Sequence, residues 1–288
     1  MTTPQNIIAM VFDFDGTLTD DSTTAFLKSR GIAPDEFWGA QKKEVLSSGA
    51  DSNLWYLQRM VSEAQPGGLL EGLTNQDLYD FGKTLDFYSG LPEFFDDMRS
   101  ITGLYEKHNP KVEFYILSSG IEEIIMGSSI AKYIDGIRGS RFTTDVNGVI
   151  SGINNSVSFT EKTRFLFEIN KGLFAPQCID ARKKPELVNI SKPAEERRVP
   201  FKNMIYVGDG YTDIPCFSLI KSRQRDEGIT FGIMEKGMDR EQAYKKLMEL
   251  ESANRVDGLH YPLYSEEDEL GTKLGLRVMG LCARIEAG

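Results

Sequence analysis

"IIAMVFDFDGTLTD", residues 7–20, is an apolar run that ends in acid. Ile7 to Phe12 contain no charge and no turn former, the composition of a strand buried on both faces, as parallel sheets require. Asp13 and Asp15 follow at once, separated only by Phe14, with Gly16 and Thr17 behind them. In an open parallel sheet the ligand site lies just beyond the carboxyl ends of the strands. This stretch therefore sets the fold class, α/β, and says where to look for chemistry.

Outward from it, the texture changes to helix-sized blocks with their own punctuation. Asp21 or Ser22 can cap a helix that Gly31 ends, and Pro34 suits the first turn of a second that stops near Gly49. Asp51 or Ser52 opens a third with a Leu54, Leu57, Met60, Val61 stripe, and Thr74 with Asp77 forms a capping box for a fourth. Residues 20–89 thus read as a small helical insert, and 1–19 with 90–288 as the α/β core. The aromatics Phe37, Trp38, Trp55 and Tyr56 are expected to form the insert's own small core, with one or two able to face a cleft.

From Leu91 helices and strands alternate again. Pro92 starts a helix through about His108, "KVEFYILSSG" is a buried strand, and "IEEIIMGSSIAKYI" is a helix. "RFTTDVNGVISG" is a hairpin turned by Asn147 and Gly148. Thr160 can cap the helix that Gly172 ends, and the charged, proline-punctuated segment 173–201 is expected to be mostly irregular. "NMIYVGDG" and "GITFGIM" are further strands, and helices near 213–222, 241–253 and 265–286 complete the pattern.

The bulk properties narrow the function. The 288 residues carry a formal charge of -10, which disfavours nucleic acid because phosphate-backbone binding needs a basic surface. Cys178, Cys216 and Cys282 are few and widely spaced, which suits a reducing compartment better than a disulfide framework. The first residues have neither a basic segment nor a long apolar one, and no stretch approaches a membrane span. The expectation is a cytoplasmic protein without a membrane partner. His108 and His260, in polar contexts, read as surface residues, so a histidine-based mechanism is not expected.

Three apolar strands end in reactive-looking groups: Asp13 and Asp15, then Ser118, then Asp209 with Asp213. Four acids in one cleft would be costly or protonated without a counter-ion. A hard divalent cation resolves this, and Mg²⁺ characteristically takes one or two carboxylates, waters and a substrate phosphate.

On these residues the chain resembles the haloacid dehalogenase-like superfamily, in its phosphatase branch with a helical cap of the phosphoserine phosphatase kind. The DxDGT motif is matched by residues 13–17, the strand ending in Ser by Ser118, and GDGxxD by residues 208–213. The resemblance implies a Rossmann-like core and hydrolysis of a small phosphorylated metabolite. Asp13 would be the nucleophile, a carboxylate needing no base to activate it, and Asp15 the acid and base. Ser118, Ser119, Gly16 and Thr17 would bind phosphate, and Asp13, Asp209, Asp213 and the Asp15 main-chain carbonyl would hold Mg²⁺. The family's lysine would be Lys162, at the start of the helix after the hairpin, with Lys183 or Lys184 as alternatives. A phosphotransferase would share every one of these residues, and a non-catalytic binding module is the reading of another class.

Overall fold

A computed structural model describes residues 4–174, 182, 184–222, 227–234 and 239–288. Among them, seven strands form one sheet in the order β4-β3-β2-β1-β5-β6-β7. They are β1 Ile7–Phe12, β2 Lys111–Ile121, β3 Gly136–Thr144, β4 Ile150–Asn155, β5 Met204–Gly208, β6 Ile229–Ile233 and β7 Leu259–His260. All neighbours are parallel except β3 and β4, the hairpin. The chain therefore has the α/β core that the first strand announced.

The central position of β1 explains its composition. Ile8, Met10 and Phe12 face one layer, with helices α5 (Glu93–Thr102) and α10 (Glu269–Ala287). Ile7, Ala9 and Val11 face the other, with α7 (Phe159–Lys171) and α8 (Ile214–Lys221). All six residues are buried, and a polar side chain on either face would need a buried partner. A further helix, α9, spans Arg240–Ser252.

Between β1 and α5 lie α1 (Ser22–Ser29), α2 (Pro34–Ser48), α3 (Ser52–Glu63) and α4 (Asn75–Gly82). Their caps follow the expected chemistry. Asp21 and Asp51 accept from backbone amides of α1 and α3, Pro34 starts α2, Gly49 ends it at φ 71°, and Thr74 with Asp77 closes a capping box. The helices share a cluster in which Phe37, Tyr56, Leu57 and Met60 meet Phe142 and Ile150 of the β3–β4 hairpin. The Ile150 amide also donates to the Leu73 carbonyl at 2.8 Å, so the hairpin closes one side of the insert.

Several local expectations shift. The helix after Pro92 ends at Thr102 rather than near His108, with Gly103 as its C-cap. The segment after β2 forms only α6, Glu122–Gly127, and a 3-10 turn at Ala131–Tyr133, because Gly127, Ser128 and Ser129 interrupt the helix. Ser158, not Thr160, occupies the N-cap position of α7. His260 is buried at 3 % exposure, packed edge-on to Phe231, rather than on the surface. The described part of 173–201 is irregular apart from short 3-10 turns. No helix among the described residues is long and apolar enough to cross a membrane.

Candidate active site

Register converts the three strand ends into one site. Phe12 is opposite Ile116 of β2 and Val207 of β5. Asp13 is one residue beyond this line, Ser118 two beyond it on β2, and Asp209 two beyond it on β5. They meet in a cleft of about 500 Å³ lined also by Asp15, Gly16, Ser119, Gly120, Tyr88 and Thr212.

Lys162 is buried behind the cleft, where it ties Asp13 to Asp213. It sits one turn ahead of Phe165 and Leu166 on the buried face of α7, and its side chain is 0 % exposed. Its Nζ lies 2.8 Å from Asp13 Oδ2 and 2.8 Å from Asp213 Oδ1, and donates to Thr212 Oγ1 at 3.3 Å. Burial lowers the ammonium's pKa, but the two carboxylates outweigh it and raise it. Lys184 is exposed beside a 3-10 turn, away from the cleft lining. Lys183 lies outside the described residues.

The acids are held individually. Asp13 Oδ1 accepts from the Phe14 amide at 2.7 Å, which fixes the carboxylate plane together with Lys162. Burial, then Asp213, pushes its pKa well up, despite the opposing pull of Lys162. Asp15 Oδ1 accepts from the Ser22 amide at 2.7 Å. Burial, then Asp21, raises its pKa to about 7. Asp213 is fully buried: its Oδ1 accepts from Tyr206 at 2.6 Å as well as from Lys162, and its Oδ2 from the Gly210 amide at 3.1 Å.

Asp13, Asp209 and Asp213 each present an oxygen within 4.8 Å of the others, a spacing that suits one cation. Two features fit a metal there. Asp213 and Asp209 both raise the proton affinity of Asp13, and a divalent charge removes that conflict. Gly16, at φ +71°, leaves the space that Asp209 fills; a Cβ would stand 2.4 Å from Asp209 Oδ2. The Asp15 carboxylate is not in this triad. Asp213 already accepts from Lys162, Tyr206 and the Gly210 amide.

Of the phosphate-binding candidates, Gly16 and Thr17 follow β1, and Ser118 and Ser119 lie on a bulged extension of β2: the strand continues to Ile121, with its pairing to β3 shifted between Leu117 and Ile121. Ser118 Oγ accepts from the Gly120 amide at 2.9 Å. Thr17 Oγ1 and Ser119 Oγ are buried with no hydrogen-bond partner in the protein. Unsatisfied buried hydroxyls of this kind ask for a ligand or water.

Sequence reasoning gave no site role to Tyr206, Thr212 or Tyr88, and named Tyr56 only as one of four insert aromatics of which one or two could face a cleft. Tyr206 sits in a core strand and read as apolar filling. Tyr88 donates to Asp20 Oδ1 at 2.8 Å at the mouth, and its isolated position gave no pattern to detect.

No family model matches the chain. An uncharacterised protein of Borreliella burgdorferi is 28% identical over 239 residues, covering 76% of this chain and 80% of that one. Among solved structures, a HAD family hydrolase from Salmonella enterica serovar Typhi superposes at TM-score 0.55 with 13% identity, over 90% of this chain and 68% of that one. A phosphoserine phosphatase captured as a phospho-aspartyl intermediate analogue gives 0.54 at 14% identity, over 94% and 99%. A probable phosphoserine phosphatase from Vibrio cholerae gives 0.54 at 11%, over 99% and 68%. Taken with the strand order and the helical insert, these likenesses give the chain the haloacid dehalogenase-like α/β fold.

Proposed function

We propose that this protein is a Mg²⁺-dependent phosphatase that hydrolyses a small phosphomonoester through an aspartyl-phosphate on Asp13. The observation that carries the reading is the buried Lys162 clamp, which orients a carboxylate at a strand end without covering its approach from the cleft. An Asp13 oxygen attacks phosphorus as the bond to the leaving oxygen breaks. Asp15, whose raised pKa lets it carry a proton near neutrality, gives that proton to the leaving alcohol. The resulting Asp15 carboxylate then takes a proton from a water that attacks the same phosphorus, which releases inorganic phosphate and restores Asp13. Ser118, Ser119 and Thr17 supply hydroxyls to the phosphoryl oxygens, and Lys162 balances charge on the nucleophile. Asp13, Asp209, the Asp15 carbonyl and, more remotely, Asp213 would hold Mg²⁺. When bound, the ion would neutralise these acids and draw charge from the phosphoryl oxygens.

Residues 20–89 act in this reading as a cap that excludes water and selects the substrate. Asp20 and Asp21 stand at the mouth, and no Lys or Arg is among the described lining residues, which supports a leaving group without a second anionic charge. Cys216 and Cys282 are free thiols, which supports a reducing compartment such as the cytoplasm. The test is a panel of phosphomonoesters assayed with Mg²⁺ and with chelator, alongside Asp13→Asn. Metal-dependent release of phosphate that Asp13→Asn abolishes is expected; near-normal turnover by that variant would overturn the proposal.

A further inference from the structure

The Ser119 carbonyl, next to Ser118 on β2, accepts two hydrogen bonds. One comes from the Tyr56 hydroxyl at 2.7 Å and one from the Ser140 hydroxyl at 3.0 Å. The donors belong to different parts of the chain, Tyr56 to α3 of the helical insert and Ser140 to β3 of the core. Ser140 Oγ in turn accepts from the Val157 amide at 3.1 Å. A second tie runs beside it, from Asn53 of α3 to the Val157 carbonyl at 3.0 Å.

The consequence follows from peptide geometry. A trans peptide unit is planar, so its C=O and N–H point in opposite directions. Holding the Ser119 carbonyl therefore aims the Gly120 N–H, which donates to Ser118 Oγ at 2.9 Å. A hydroxyl oxygen that accepts this bond keeps its own hydrogen for another acceptor. Gly120 packs closely beside Asp15: a Cβ added there would lie 2.4 Å from Asp15 Oδ2. One peptide unit thus sets both the aim of the Ser118 hydroxyl and the wall beside Asp15.

We propose that Tyr56 is a positioning residue for the phosphoryl group: through the Ser119 carbonyl it turns the Ser118 hydroxyl toward a phosphoryl oxygen, and so links the insert to phosphate binding. The inference rests on the phosphatase reading. The tyrosine ring has a separate task, packing edge-on against Trp38 in the insert's cluster, so Tyr56→Phe removes the hydroxyl and leaves the packing.

The experiment measures binding of inorganic phosphate in the presence of Mg²⁺ by calorimetry, together with KM and kcat, for wild type, Tyr56→Phe and Trp55→Phe. Trp55 belongs to the same cluster, packing edge-on against Phe37, and no described hydrogen bond joins it to Ser119. Tyr56→Phe is expected to weaken phosphate binding and raise KM about tenfold, roughly the worth of one hydrogen bond to a charged acceptor. Its unfolding midpoint should stay close to wild type, since Ser140 still satisfies the carbonyl, and Trp55→Phe should bind phosphate normally. Wild-type phosphate binding by Tyr56→Phe overturns the inference alone. Equal weakening in both variants also overturns it, because packing would then explain the effect. A wild type that neither binds phosphate nor hydrolyses any ester overturns the phosphatase reading beneath it.

Discussion

Replacing Lys162 by Met keeps the buried stem and deletes the charge that holds Asp13 and Asp213. Both contacts are 2.8 Å, and the three side chains are at most 9 % exposed, so water screens them little. Removing one partner from a buried ionic cluster costs about 3–5 kcal/mol, because the remaining charges stay buried without compensation. Unfolding entropy scales at about 2 cal/mol/K per residue. For 288 residues that cost corresponds to a fall of about 5–8 °C in the unfolding midpoint. The pH dependence has a definite sign. Asp13 already has a raised pKa, and losing Lys162 raises it further, so the folded variant binds protons that the unfolded chain releases. The penalty is therefore largest at alkaline pH and shrinks as pH falls towards the unfolded carboxylate range. Added Mg²⁺ should restore part of the loss by supplying charge to the same acids. Calorimetric scans from pH 5.5 to 8.5, with and without Mg²⁺, check all three points. A variant as stable as wild type at pH 8.5 would refute the clamp.

Further outcomes follow from the same geometry. Asp15→Asn should slow hydrolysis of an alkyl phosphate by about 10²–10⁴-fold, the usual worth of a proton donor; a nitrophenyl ester, whose leaving group needs no proton, should lose much less in the same assay. Gly16→Ala puts a Cβ against Asp209 and forces a positive φ. Calorimetric Mg²⁺ titration should show weaker binding, with a stability cost of about 1–3 kcal/mol. Arg198 pairs with Glu113 and Tyr115 at the edge of β2. Burial raises the Glu113 pKa, but Arg198 and Tyr115 win and leave it lowered. The pair's stabilisation is thus present above the unfolded glutamate pKa and is lost as pH falls through the folded one. Arg198→Met should cost about 1–3 kcal/mol at pH 7 and clearly less near pH 4, as read by denaturant unfolding.

What could be read from sequence followed burial. β1, β2 and β5 are continuous apolar runs because the middle of a parallel sheet has no solvent face, and their terminal acids and serine stood out against that background. β3 did not: "GIRGSRFTT" is rich in glycine and charge, since this strand, lying between β2 and the edge strand β4, carries Arg138 and Arg141 at partly buried positions, and only its hairpin end was recognised. The two-residue β7 is too short for any pattern. Lys162 was singled out, with Lys183 or Lys184 as alternatives, from its place after a hairpin, and the structure sets its Nζ against Asp13; Tyr206 was hidden because a tyrosine whose ring fills a core has the sequence signature of the core, whatever its hydroxyl bonds to. His260 was misjudged for the opposite reason: its polar sequence neighbours concealed a position against Phe231.

The central claim is covalent chemistry at Asp13. Wild-type protein should be mixed with a substrate from the phosphomonoester panel and Mg²⁺, quenched in acid within the first turnover, and mapped by peptide mass spectrometry. The account predicts one phosphoryl group on the peptide containing Asp13, absent from Asp13→Asn and from samples with chelator. Turnover without that adduct, or an adduct on any other residue, would contradict it.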